Sequence, residues 1–452
     1  MQSNEMCPQR TLRGEQVPSE GQSPGSNELG PSHQEVAPKI WMVIFIAIVA
    51  ILFTIVWLMT WQQLQNLIWK NDFVVQNRWI VPIFVIILSL LVGLCIKYLR
   101  APTVISGGLT ESVTGEEEVD YRVFPGTLIT SFLSLLSGAS IGPEGPLGFL
   151  VRQISAWFED KLRLVKETRL GYSVAGLASA YNGLIGNPVF TAVIATEVIP
   201  KKNISFLIWN LLAGVIGFLI YFQLGFQSFL GEIPFPPIDQ FNLSYIAYAI
   251  ILGVLGGLLA LFIAVWLQFF GKALDRFKDK VVLRILIAGI IIAIVVYFVP
   301  QVMFSGEDQI SEIIQDSATY GIAMLLLFAL LKVILFALSF KSGYLGGPIF
   351  PTLFACTMLA LALSLAFPSV PIVLLVLCIE AAAIALALNA PLTAILLVTV
   401  VASTGVVNVL LIGLVVLATV VAMMMGMIFK RTMAKRASKG PKSSGSASEK
   451  GF

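Results

Sequence analysis

The sequence predicts an all-α polytopic membrane protein built as two related halves of tilted and broken helices. Three observations carry this reading. The first is composition: 57% of the 452 residues are hydrophobic, only 12% are charged, and the mean hydropathy is +0.88, against roughly 25% charged residues in soluble domains. The second is a succession of apolar runs, many of them long enough for the ~20 residues a helix needs to cross a bilayer. The third is repetition. G-P-E-G-P (Gly142 to Pro146) is echoed by G-G-P-I-F-P (Gly346 to Pro351), with Pro146 and Pro351 separated by 205 positions. Asn187-Pro188 is echoed by Asn389-Ala390-Pro391, with the prolines separated by 203. Short hydrophobic segments interrupted by Gly or Pro at matching places in two halves point to an ion site near the bilayer midplane.

In chain order, residues 1–38 are rich in Ser, Pro, Gln, Glu and Gly. They are expected to be a disordered tail without the apolar core of a signal peptide. The lone His33 lies there and needs no function. A transmembrane domain is expected over 39–430. Its first half (about 40–224) holds the runs 40–61, 79–99, 124–140, 171–200 and 204–224. A Pro-broken connection, 225–241, leads to the second half (about 242–430). That half holds 242–270, 281–300, a polar loop at 301–317, then 319–339, 347–367, 370–400 and 402–429. Runs that are very long or contain an internal Asn-Pro are expected to hold tilted, broken or paired helices. Glu116, Glu117, Glu118 and Asp120 read as a solvated acidic loop. Cys7, Cys95, Cys356 and Cys378 have no framework spacing, and the last three read as small apolar residues. The tail 431–452 continues a basic series that begins at Lys430 and includes Arg431, Lys435, Arg436, Lys439, Lys442 and Lys450, which predicts a cytoplasmic C-terminus.

The chemistry centres on carboxylates. An isolated charge in hydrocarbon costs at least ~3 kcal/mol, yet Glu144, Glu197 and Glu380 sit in or at the edge of apolar runs. Glu144 is flanked by Gly142, Gly145 and Pro146. Proline suits the first turn of a helix, and glycine lets backbone come close to a ligand. A helix N-terminus offers free N–H groups and partial positive charge, which together make an anion site. A glutamate there can occupy the site as a tethered anion and release it when protonated or swung away. The plainer reading is a helix-start turn with an acidic first residue. Gly346 to Pro351 would begin a second such helix, and Ser106-Gly107-Gly108-Leu109-Thr110 a third; the plain reading of each is a capped loop.

These residues resemble the CLC family of chloride channels and chloride/proton antiporters, over roughly 40–430. The family's G-[KR]-E-G-P is similar to Gly142 to Pro146, and its G-x-F-x-P to Gly347 to Pro351. Its N-A-P-L-[AT]-x-I-L-F-x-I-E resembles Asn187 to Glu197, and its [RN]-A-P-L-T-x-I-[IL]-L-V resembles Asn389 to Val398. Its G-S-G-I-P-E is echoed by Ser106 to Glu111. The resemblance implies a homodimer of subunits with inverted halves and one anion pathway each. It implies Glu144 as the gate, and an anion site drawn from Ser106, Gly107, Gly108, Gly142, Gly145, Gly347, Ile349 and Phe350. The departures bear on mechanism. Pro143 stands where the family has Lys or Arg, Pro348 lacks an N–H, and the signature phenylalanine has moved to Phe350. The family's late central tyrosine has no counterpart, since Tyr344 is the last tyrosine. Antiporters of the family carry an inner proton glutamate where this chain has Val198, as family channels commonly do.

The reading that follows is transport of an anion across the membrane by a passive, channel-like conductance gated by Glu144. The anion is expected to be chloride, with nitrate and fluoride open. The alternative is an anion/proton antiporter, and a polytopic membrane enzyme or sensor is the remote third. There is no metal-ligand cluster, Ser/His set or phosphate loop in the sequence, so neither a cofactor nor a nucleic-acid partner is expected. Glu197 is expected to pair with Lys201 and Lys202. Glu380 is expected to be a hydrogen-bonded structural acid or to lie at a helix end, with a surrogate proton site as the other reading.

Overall fold

Helices break where the sequence makes the helical path impossible, and those breaks organise the protein. The computed structural model describes residues 39–102, 119–163, 166–198, 204–227, 235–236, 238, 242–401 and 409–439. The first half runs through α1 (Ile40–Trp69), the short α2 (Asp72–Gln76), α3 (Ile80–Leu99), α4 (Phe124–Leu136) and α5 (Glu144–Lys161). It continues with α6 (Lys166–Ala180), the one-turn α7 (Asn182–Ile185), α8 (Phe190–Val198) and α9 (Ile204–Gln223). The second half comprises α10 (Ser244–Asp275), α11 (Val281–Phe298), α12 (Glu307–Gln315) and α13 (Ser317–Ser342). It ends with α14 (Ile349–Ala366), α15 (Ile372–Leu388), α16 (Pro391–Val401) and α17 (Val409–Lys439).

Eight of these helices are long and apolar enough to cross a membrane. The two apolar runs that contained Asn-Pro or Asn-Ala-Pro are broken as expected. In the first, Gly186 takes a left-handed conformation (φ 67°) after α7, and Asn187-Pro188 then leads into α8. In the second, Asn389 is left-handed (φ 54°) after α15, and Pro391 opens α16. A left-handed residue ends a helix by turning the chain while its N–H satisfies a last-turn carbonyl, here Gly186 to Asn182 and Asn389 to Ala385, and proline begins the next without losing an intrahelical bond. The segment 301–317 differs from its reading as a polar loop. It forms a 3-10 turn at Pro300–Val302 and then α12, whose Ile310 and Ile313 are buried while Asp308 and Glu312 are exposed. Two buried positions three apart are enough to fold a nine-residue amphipathic helix against α14.

Packing in the second half relies on small residues. Gly256 of α10 lies against the Ile379 carbonyl and Ala382 of α15, and Gly253 lies against the Ala418 backbone of α17. Such close backbone approach is how helices associate where hydrocarbon supplies no hydrophobic drive. Large apolar side chains on α1, α9, α10 and α11 point outward, with Val56, Leu219, Val265 and Phe298 exposed. An apolar exterior over a core that contains buried Ser, Thr, Asn, Glu and Lys is the inverse of a soluble protein. The chain is an integral membrane protein.

Candidate functional site

The two Gly/Pro turns meet. Gly142 N–H donates to the Gly347 carbonyl at 2.9 Å, and Gly347 N–H donates to the Gly142 carbonyl at 2.7 Å. This two-bond bridge joins the loop before α5 to the loop before α14, equivalent points of the two halves. It also occupies the N–H groups of Gly142 and Gly347. The donors left pointing into the site come from Ile349 and Phe350.

Glu144 fills the space between those loops. It is the first residue of α5 and is fully buried. Its Oε1 accepts a hydrogen bond from Ile349 N–H at 2.5 Å, and the Phe350 N–H also faces the carboxyl. Its Oε2 has no partner among the described residues. Glycine is required on both sides: a Cβ at Gly142 or at Gly347 would overlap the carboxyl group. Gly145 packs against the backbone of Gly346 and Gly347. The first turn of α14 thus holds a carboxylate from the other half of the chain at its positive end.

Three buried side chains that the sequence reading did not single out stand near this centre. Tyr181, at the junction of α6 and α7, donates its hydroxyl to the Glu144 carbonyl at 2.9 Å. Its ring packs edge-on against Phe190. Lys332 of α13 is fully buried. Its ammonium donates to the carbonyls of Phe304 (2.7 Å), Met303 (3.2 Å) and Val302 (3.3 Å) and lies 4.6 Å from the centre of the Phe354 ring. Glu307, at the start of α12, supplies the opposing charge. A lysine in the middle of an apolar run was a readable signal, since intramembrane cations are held only where something compensates them. Tyr181 carried no such signal, because a tyrosine in an apolar run is ordinary. A cavity of about 570 Å³ opens beside this pair, lined among others by Trp69, Lys70, Arg78, Glu307, Asp308 and Glu312.

The remaining expectations resolve as follows. Ser106, Gly107 and Gly108 lie outside the described residues, as do Lys201, Lys202 and Glu116 to Glu118. The expected pairing of Glu197 with Lys201 and Lys202 lies outside the described residues, and among those described Glu197 meets the start of α16. Its Oε1 accepts from Leu392 N–H at 2.7 Å, and its Oε2 accepts from Thr393 N–H at 2.8 Å and from the Thr393 hydroxyl at 2.6 Å. A carboxylate from α8 of the first half therefore caps α16 of the second half. Val198 is the last residue of α8. Glu380 lies in mid-helix, and its Oε1 accepts from the Thr357 hydroxyl at 2.8 Å while Oε2 has no partner among the described residues. That is the hydrogen-bonded acid the sequence suggested. Tyr344 faces away from Glu144, its hydroxyl 2.8 Å from Ser89 Oγ and 3.2 Å from the Ile285 carbonyl. Among the described residues there is no cluster of His, Cys, Asp and Glu suited to a metal.

Comparison with known proteins agrees with this architecture. Residues 108–427 match the family described as voltage gated chloride channel. An uncharacterized protein of Methanocaldococcus jannaschii is 30% identical over 226 residues, 48% of this chain and 54% of that protein. The Salmonella newport protein YfeO, named for ion transport, is 28% identical over 270 residues, 58% of this chain and 63% of that protein. The chain thus matches only about half to three-fifths of the length of these relatives. Two solved structures share the fold. A slow cyanobacterial chloride/proton antiporter superposes with a TM-score of 0.71 at 18% identity, covering 88% of this chain and 98% of the other. A CLC-type fluoride/proton antiporter superposes with a TM-score of 0.68 at 20% identity, covering 86% and 93%.

Proposed function

The chain belongs to the voltage gated chloride channel family, and from that premise we propose that it carries an anion, chloride first, through a pathway whose gate is Glu144. One observation supports this above the others: the Glu144 carboxyl sits on the Ile349 N–H at the start of α14. A carboxylate oxygen at a helix N-terminus stands where a free halide would bind, because both are anions satisfied by the same donors and the same dipole. Removing the carboxylate, by protonation or rotation, frees the site. Burial with Oε2 unpartnered makes the charged, seated form costly to hold, so the gate is poised to move rather than fixed. Ser106, Gly107 and Gly108 belong to the proposed anion site through their sequence motif. Members of this family are channels and transporters rather than enzymes.

Passive conductance is the primary reading, because valine at 198 cannot carry a proton to Glu144. Proton-coupled exchange is the second reading. It is favoured by the likeness to two structures described as a chloride/proton and a fluoride/proton antiporter. A homodimer in the plasma membrane, with a cytoplasmic basic C-terminus, completes the proposal. The test is simultaneous recording of chloride release and external pH from chloride-loaded proteoliposomes. Efflux that requires a potassium ionophore and moves no protons is the expected result. Uphill proton movement driven by the chloride gradient would replace it with the antiporter.

A further inference from the structure

A buried lysine outside the gate organises the loop between α11 and α12. Lys332 of α13 is fully buried, and a cation in a membrane-spanning helix is costly unless something compensates it. An ammonium has three N–H donors. Three consecutive carbonyls of one loop receive them, Val302 (3.3 Å), Met303 (3.2 Å) and Phe304 (2.7 Å), with the centre of the Phe354 ring 4.6 Å away. The loop needs such a partner. Phe304 has φ 57° and Gly306 has φ 112°, and a bulky residue in the left-handed region persists only where its surroundings hold it there. A Cβ on Gly306 would overlap the Phe354 ring, so the far end of the loop is seated on α14.

That loop braces the segment that leads into Glu144. Ser140 Oγ donates to the Val302 carbonyl at 2.9 Å, so one carbonyl receives both the serine and the lysine. Phe304 N–H donates to the Gly138 carbonyl at 3.4 Å. Gly138 is itself left-handed (φ 82°), and a Cβ there would overlap the Met303 side chain. Trp69, at the end of α1, ties the two segments together. Its Nε1 donates to the Leu136 carbonyl at 3.0 Å, and its ring meets Phe304 edge-on with centroids 5.5 Å apart. Alternate residues from Leu136 to Gly142 are thus fixed, the last through its bridge to Gly347, and Glu144 follows as the first residue of α5. The segment is held by the loop before α14 on one side and by the lysine-bound loop on the other.

Charge links the same groups. Glu307 opens α12 directly after the loop, and its carboxylate acts on both Lys332 and Glu144. The two carboxylates repel each other, and the ammonium offsets Glu307. We propose, resting on the reading of Glu144 as the gate, that Lys332 is a positioning residue for it. The ammonium gathers Val302, Met303 and Phe304 into the brace that holds residues 136–142, and it offsets Glu307, so that the Glu144 carboxyl stays on the Ile349 amide. Without the ammonium, the brace relaxes and Glu307 pushes on the seated carboxylate unopposed. Both changes unseat the carboxyl and leave the site open to a free anion more of the time.

The experiment measures chloride efflux from proteoliposomes of the full chain at one fixed pH, with potassium and proton ionophores present. Each variant is made in the wild-type and in the Glu144→Ala background. Lys332→Met, close to lysine in shape but uncharged, is expected to raise flux several-fold in the first background and to add nothing in the second. Lys332→Arg keeps the charge and the donors and should return flux toward the wild-type level. Glu307→Gln added to Lys332→Met should lower flux again, a rescue that a folding defect would not show. Should Lys332→Met not be recovered as folded protein, Ser140→Ala makes the same comparison. It removes one hydrogen bond of the brace and no charge, and should raise flux with Glu144 present and not without it. No rise in the recovered variant, or equal effects in the two backgrounds, would overturn the proposal. So would a Lys332→Arg protein that conducts like Lys332→Met, or a Glu307→Gln change that leaves the raised flux where it was. Glu144→Ala tests the gate separately: if it alone fails to raise flux, the gate reading falls and the positioning role falls with it.

Discussion

At the scale of single residues, the proposed function makes the site a competition for two amides. Ile349 and Phe350 can serve a tethered carboxylate or a free anion, and the steric frame decides how easily the first gives way. Glu144→Gln keeps the shape and removes the charge, so flux should become independent of pH; a titration of flux against pH checks this. Gly347→Ala is more discriminating. Its Cβ overlaps the seated carboxyl, whose atoms are the nearest it would meet. Basal flux should therefore rise in the wild-type background and stay unchanged in a Glu144→Ala background, a coupling that a general folding defect would not produce. Much of this was legible beforehand. G-P-E-G-P and G-G-P-I-F-P named the carboxylate, the glycines and the helix starts, because each rests on a local rule. The bridge between Gly142 and Gly347 was not legible, since pairing residues 205 positions apart is a fact of tertiary structure. Nor was the hydroxyl of Tyr181, whose role depends on which carbonyl it reaches.

At the scale of elements, the half-helices are held by contacts that cross between halves. Glu197 accepts three hydrogen bonds at the start of α16. Replacing a cap of this kind costs about 1–2 kcal/mol, and charged hydrogen bonds lie toward the upper end of that scale. Glu197→Ala should therefore lower the thermal midpoint of the purified protein by several degrees, with Glu197→Gln intermediate; thermal unfolding followed by size-exclusion recovery measures it. The sequence marked Glu197 as special through its place in an apolar run, but nearby lysines were the simplest partners to name. The partner the structure describes, an N-terminus 195 residues on, could have been suspected from Pro391-Leu392-Thr393, a helix start preceded by Ala390 rather than a capping residue. The same limit explains 301–317. Its polar character suggested a loop, whereas Ile310 and Ile313 give it just enough of an apolar face to fold as α12.

At the scale of the whole molecule, the fold brings two related halves together so that one supplies the Glu144 carboxyl and the other the amides it meets. That division was readable from the repeat offsets alone, and the long apolar runs were rightly expected to break at Asn-Pro. What the offsets could not give was the asymmetry: the carboxylate at Glu144 has Ile349 at its equivalent place, so of the two paired turns one carries a carboxylate and the other does not. Val198→Glu restores an acid at the end of α8. If the remaining route is intact, that variant should show proton movement coupled to chloride release, read as external pH change in proteoliposomes; no change would mean the route to Glu144 does not pass that position. The central claim is that the Glu144 carboxyl occupies an anion site. It is tested most directly by crystals of the wild type and of Glu144→Ala grown in bromide, with anomalous density as the readout. The account predicts a bromide against the Ile349 and Phe350 amides in Glu144→Ala and none there in the wild type with Glu144 seated. A Glu144→Ala structure with the α14 N-terminus intact and no bromide at those amides would contradict it.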